Sequence, residues 1–329
     1  MKIVVTTVPF GTIDPLSIRL MEQENLSYEI NPLNRKLRPE EVSGVIGNAD
    51  IVIAGTEPIT DEVMGQCPNL KAICRVGIGL DSVDLLASRR RGIAVSYTPD
   101  GPTPAVAELT VGHILDLLRR TSEVDREIRK GCWSRVAGRR LSQCKVGIIG
   151  CGRIGSRVIK HLYNGFEGVE ILANDLSVKD ELSPYVHWVD KKSIYKECDV
   201  VSIHVPLTSA TQDMISAQEL AMFKDDGVLV NTSRGGIVNE TELWKALVSK
   251  KLQSAAVDVF EEEPYKGVLT GIDNVVLTCH LGSMTKDCRA TMEIEATQEA
   301  IRFYKGEDFI SPVPEDEFIL AKALLENKT

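Results

Sequence analysis

An apolar run, Val146-Gly147-Ile148-Ile149, opens onto Gly150-Cys151-Gly152-Arg153-Ile154-Gly155, and Asp175 stands twenty residues beyond the last of these glycines. This G-x-G-x-x-G pattern restricts the chain tightly, because it fits a strand that turns at once into a helix. Gly150 permits the sharp turn, Gly152 lets the backbone approach a pyrophosphate, and Gly155 lets the helix pack against the sheet. The helix, expected over residues 153–163 from Arg153 and Ile154 onward, aims unsatisfied N–H groups and the positive end of its dipole at the phosphates. A second strand over 169–174 carries Asp175 at its tip, where a carboxylate accepts hydrogen bonds from ribose hydroxyls. The pattern points to a dinucleotide, and to NAD rather than NADP, since a 2′-phosphate would meet a like charge with no Arg beside it.

The alternation of strand and helix continues on both sides of this turn. Apolar strands are expected at 3–6, 51–54, 72–76 and 93–96 before it, and at 200–205, 227–232, 255–260 and 275–279 after it. Helices are expected at 40–46, 61–66 and 81–90, and Asn239 with Glu242 three residues on marks a capped helix start. The fold class is therefore α/β, with two Rossmann-like domains built on parallel sheets and a cleft between them. A length of 329 residues exceeds what one core usually holds. The break is expected at 97–104, where three prolines and a glycine interrupt regular structure, followed by a long amphipathic segment over 105–129. Residues 1–98 and 305–329 are expected to form a flavodoxin-like, substrate-binding domain, and 99–304 an NAD-binding domain that includes a helix over 293–303 closing the nucleotide sheet.

Charge and cysteine content narrow the class further. A net charge of −9 argues against nucleic acid or an anionic membrane as a partner. No segment approaches a membrane span and the start reads as a first strand, so a cytoplasmic location is expected. The eight cysteines include no C-x-x-C pair, so reduced, mostly buried thiols and no metal site are expected.

Residues with chemical potential follow the later strands, where an open parallel sheet presents its ligand contacts. Arg234 lies in Asn231-Thr232-Ser233-Arg234-Gly235-Gly236, and its guanidinium could hold a carboxylate in two parallel hydrogen bonds. Asp258 opens Asp258-Val259-Phe260-Glu261-Glu262-Glu263-Pro264, and His280 sits in His280-Leu281-Gly282-Ser283. Each could be structural if taken alone. Together with His204-Val205-Pro206-Leu207-Thr208 and the glycine-rich turn, these ordered motifs resemble the D-isomer-specific 2-hydroxyacid dehydrogenases over about residues 51–297.

The resemblance implies a catalytic set of Arg234, Glu263 and His280, leaving Glu261 and Glu262 as solvent-facing neighbours. Such an enzyme interconverts a D-2-hydroxy acid and its 2-keto acid: His280 moves the hydroxyl proton, Glu263 orients the ring, and Arg234 clamps the carboxylate and polarises the carbonyl. It also implies that Asp258 lies near the nicotinamide carboxamide, that His204, Pro206 and Thr232 line the cofactor site, and that Gly282 belongs to it. Arg75, Val76 and Gly77 match the family's glycine-rich substrate turn, whose N–H groups hold the substrate carboxylate alongside Arg234 and His280. Arg75 suits a second anionic group, as in phosphoglycerate-type members, whereas Glu57 stands near where those members often place a cation, and Pro102 and Pro104 replace the family's Asn-containing hinge turn. The expected substrate is a 2-hydroxy acid with a second anion, and a homodimer is expected. The alternative is an NAD-responsive binding protein resembling the family's corepressors, with little turnover.

Overall fold

The computed structural model describes residues 1–326. Among the described residues twelve strands form two sheets. The first holds β1 (Lys2–Val5), β2 (Ser27–Ile30), β3 (Ile51–Ala54), β4 (Ala72–Arg75) and β5 (Ala94–Ser96) in the order β2-β1-β3-β4-β5. The second holds β6 (Lys145–Ile149), β7 (Glu170–Asn174), β8 (His187–Trp188), β9 (Val200–Ile203), β10 (Val228–Asn231), β11 (Ser254–Val257) and β12 (Val275–Leu277). Its order is β12-β11-β10-β9-β6-β7-β8, so the winding reverses between β6 and β9. All strand pairs are parallel.

Why the central strands read as unbroken apolar runs is plain from their packing. In the second sheet, Ile149, Val201, Ile203, Leu229 and Val257 enter one core cluster, while Val146, Ile148, Val200, Val230 and Ala256 enter another. Alternate side chains thus fill opposite faces, and no face is left for polar residues. The first sheet has its own core, including Val4, Val52, Ala54, Ile73 and Val95. β2 escaped the sequence reading because it is an edge strand whose side chains are largely exposed. The two-residue β8 gives no periodic signal at all.

The chain divides into two compact units, Met1–Pro102 with Ser283–Thr329, and Thr103–Gly282. The return to the first unit therefore begins at Ser283, ahead of the expected residue 305. The helix Lys286–Lys305 packs on the helix Leu16–Gln23 and on β3 and β4, and does not close the nucleotide sheet. Buried polar ties fix it there: Arg289 donates to Glu293, Thr7 Oγ1 and the Pro9 carbonyl, and Gly11 N–H donates to Glu293. Polar residues inward on a helix carry no apolar period, which is why the sequence misplaced it. The prolines at 102 and 104 also do not break structure, since they lie in the first turn of the helix Pro102–Arg119, where a missing N–H costs nothing. The long amphipathic segment over 105–129 is helical but interrupted at Arg120, whose left-handed backbone (φ +56°) separates Pro102–Arg119 from Thr121–Arg129. Among the described residues no helix is long and apolar enough to cross a membrane. Six cysteines are buried and two, Cys132 and Cys279, are exposed.

Candidate active site

At the carboxyl end of β6 each glycine of the turn has a distinct steric reason. Gly150 adopts φ +91°, and a Cβ there would lie 2.5 Å from the His204 carbonyl oxygen. At Gly155 a Cβ would lie 2.0 Å from the Gly150 oxygen, so the helix Arg153–Gly165 could not approach the strand. Gly152 has open space around it, and as N-cap it supplies no side chain to the first N–H groups of that helix. This leaves backbone donors facing outward with room for a phosphate, with Ile154 half-buried and Arg153 exposed beside them.

Asp175 follows β7 and turns toward this loop. Its Oδ2 accepts from Cys151 N–H at 2.6 Å and its Oδ1 from Leu176 N–H at 2.6 Å. Each oxygen keeps capacity for a further donor, as a ribose diol requires. The residues fit a dinucleotide, which when bound supplies the hydride donor or acceptor. One neighbour had no motif to announce it: Lys179 Nζ donates to the Cys151 carbonyl at 2.7 Å. Burial and the Asp175 charge push the Cys151 thiol up to about 12, opposed by Lys179. His204, after β9, places its Nε2 2.9 Å from Ser202 Oγ, and burial of the ring lowers its pKa to about 3. Pro206 is exposed, and Thr232 is buried with its hydroxyl 2.8 Å from that of Thr110.

The other three candidates stand at the ends of adjacent strands β10, β11 and β12, which the sheet order brings side by side. Gly235 allows this convergence, because a Cβ there would lie 2.0 Å from the Phe260 backbone. Arg234 is half-buried, with Nη1 donating to the Ser233 carbonyl. Nδ1 of His280 lies 3.0 and 3.1 Å from the two Glu263 oxygens, and Glu263 also accepts from Phe260 N–H at 3.3 Å. With Nδ1–H committed to the carboxylate, Nε2 is the ring atom that can exchange a proton, and it has no partner among the described residues. Glu261 and Glu262 are exposed; burial and then the Glu240 and Asp213 charges push the Glu261 carboxyl up.

Asp258 anchors the loop that carries His280. Its carboxylate accepts from Thr278 Oγ1 (2.6 Å), Leu281 N–H (2.7 Å) and Gly282 N–H (2.9 Å), while its carbonyl accepts from His280 N–H at 2.8 Å. His280 is thereby held in a left-handed backbone, φ +57°. Buried His113, absent from the sequence reading, lies behind this network with Nε2 3.5 Å from Thr278 Oγ1, and burial lowers its pKa.

In the first unit the expected cradle at Val76 and Gly77 needs correction. Val76 N–H donates to the Ala54 carbonyl at 2.8 Å, continuing the ladder between β3 and β4, and Gly77 N–H donates to Thr98 Oγ1 at 2.7 Å. Neither is open to a ligand. The next two, at Ile78 and Gly79, are partly exposed and have no partner among the described residues. Arg75 is buried and folds back on the Val76 carbonyl, over the space a Gly77 side chain would need. Glu57 is also buried, accepting from Thr6 Oγ1 and from Gly55 N–H.

A family model described as "D-isomer specific 2-hydroxyacid dehydrogenase, NAD binding domain" matches residues 111–282. A hydroxypyruvate reductase of Thermotoga maritima is 34% identical over 88% of this chain and 96% of its own. A D-3-phosphoglycerate dehydrogenase of Methanocaldococcus jannaschii is 34% identical over 82% of this chain and 53% of its own. Among solved structures, a D-lactate dehydrogenase of Aquifex aeolicus, complexed with NAD and lactic acid, superposes with a TM-score of 0.80 at 25% identity, over 93% of this chain and 96% of the other.

Proposed function

This chain belongs to the D-isomer-specific 2-hydroxyacid dehydrogenase family and is an NAD-dependent oxidoreductase; from that premise we propose which residues do the work and what acid they act on. His280 is the acid and base: through Nε2 it takes the hydroxyl proton of a D-2-hydroxy acid as hydride leaves C2, and returns it when the 2-keto acid is reduced. Glu263 fixes the tautomer and stabilises the imidazolium, and Arg234 holds the substrate carboxylate and polarises the carbonyl. The observation that carries this reading is the contact of His280 Nδ1 with both Glu263 oxygens at 3.0 and 3.1 Å. The carboxylate holds one ring nitrogen and leaves the other to exchange the proton.

The substrate carboxylate is held by the N–H groups of Ile78 and Gly79, since those of Val76 and Gly77 are taken by Ala54 and Thr98. Arg75, at the carboxyl end of β4, takes a second anionic group, a phosphate, phosphonate or carboxylate. The substrate is then a D-2-hydroxy acid with a second anionic group, phosphoglycerate-like or phosphonate-bearing, and the protein works as a cytoplasmic homodimer. The test is steady NADH oxidation over a panel of 2-keto acids, including glyoxylate, hydroxypyruvate and phosphorylated ones, with wild type and Arg75→Ala. A larger loss for doubly anionic acids supports the proposal. Equal losses would leave a reductase of small, singly anionic acids, as the name of the Thermotoga maritima relative would have it. Tight NADH binding without turnover on any acid would favour a cofactor-sensing protein instead.

A further inference from the structure

We propose that Lys179 sets how strongly the nucleotide site rejects a 2′-phosphate, so that Asp175 alone does not decide between NAD(H) and NADP(H). The inference rests on the reading of this loop as the dinucleotide site. Asp175 and Lys179 leave the same segment after β7 and grip one residue of the glycine-rich turn from two sides. The carboxylate takes the Cys151 N–H at 2.6 Å, and the ammonium donates to the Cys151 carbonyl at 2.7 Å. Both side chains are half-buried, while Leu176, Ser177 and Val178 between them are exposed.

An acid at the tip of this strand disfavours a 2′-phosphate by like-charge repulsion, and a cation in the same place favours it. Here the two charges are tethered to one peptide unit, so much of the repulsion from Asp175 is offset where the phosphate would sit. Lys179 spends one of its three N–H donors on Cys151 and has no other partner among the described residues. Two donors remain for a phosphate oxygen. A lysine that merely braced the loop would support either cofactor equally, because the pyrophosphate and the turn are common to both.

Fluorescence titration with NADH and with NADPH, which needs no turnover, separates these roles in the wild type, Lys179→Met, Asp175→Ser and the double variant. For Lys179→Met the expected result is NADPH affinity weakened about ten-fold more than NADH affinity, the worth of one charge-assisted contact to the 2′-phosphate over and above any shared loss from the loosened turn. Asp175→Ser should strengthen NADPH binding, and adding Lys179→Met should remove that gain. The NADPH-to-NADH affinity ratio should also fall more steeply with salt in the wild type than in Lys179→Met. Equal weakening of both cofactors would reduce Lys179 to a loop brace and overturn the proposal, as would an unchanged ratio. Urea-unfolding midpoints equal to the wild-type value in each variant are the control for folding. If no variant nor the wild type bound NADH, the nucleotide-site reading itself would fall.

Discussion

His280 holds a left-handed backbone that costs a non-glycine residue about 1–2 kcal/mol, and it keeps that conformation because Asp258 ties down the residues on both sides of it. The proposed chemistry makes two residue-scale outcomes measurable. His280→Ala should lower kcat by roughly 10²–10⁴-fold, the usual contribution of a positioned acid or base, with NADH affinity nearly unchanged. A comparable loss of NADH binding would show a role in the cofactor site and not in proton transfer. Asp258→Asn should lower kcat as well, although no reacting atom need touch it: the amide would turn a donor toward one of the three donors its carboxylate now receives. Activity equal to wild type would show that the loop keeps its shape without this carboxylate. Arg234 and His280 were legible in the sequence because they lie just past apolar strands, whereas Glu263, six residues beyond β11, was singled out only by the resemblance of its motif to the family's acid before a proline. The donors to Asp258, at positions 278, 281 and 282, were not, since only a folded loop brings them round one carboxylate. The same holds for Val76 and Gly77, whose N–H groups look available until the sheet and Thr98 take them.

Between residue and domain, the elements that the sequence misread were those governed by polar contacts. The helix Lys286–Lys305 is fixed to the first unit by an Arg289–Glu293 pair whose side chains are only 8% and 1% exposed. Removing one member leaves the other charge buried alone, so Arg289→Ala should destabilise the first unit by about 3–5 kcal/mol in urea unfolding. The double change Arg289→Met with Glu293→Leu should recover part of that loss, because the desolvation cost then vanishes with the charges. A negligible effect of Arg289→Ala would mean that apolar contacts alone hold this helix. At the turn after β6, Gly155→Ala should lower NADH affinity and stability together, given the 2.0 Å approach of its Cβ to the Gly150 oxygen. Here sequence and structure coincide, because close backbone approach has a one-letter signature, and a buried ion pair does not.

For the molecule as a whole, pH acts through histidines kept neutral by burial. Both His204 and His113 have lowered pKa values and belong to the second unit. Their unfolded forms take up a proton near the ordinary value of about 6.5 while the folded forms resist it. Stability from this source is complete above that value and declines as pH falls toward the His204 value of about 3, by at most about 1.4 kcal/mol per pH unit for each group. Urea midpoints should therefore drop between pH 7.5 and 5, and His204→Asn should flatten the slope; an unaltered slope would place the acid sensitivity elsewhere. The sequence by itself determined the α/β alternation and the dinucleotide turn, because period and glycine placement are local properties, and its ordered motifs singled out Arg234, Glu263 and His280 as the residues to test. Only the tertiary structure decided where the chain returns to its first unit, which N–H groups stay open in the turn after β4, and that Lys179 shares Cys151 with Asp175. Those depend on which polar groups meet across the fold, and such meetings follow from packing between segments far apart in the chain.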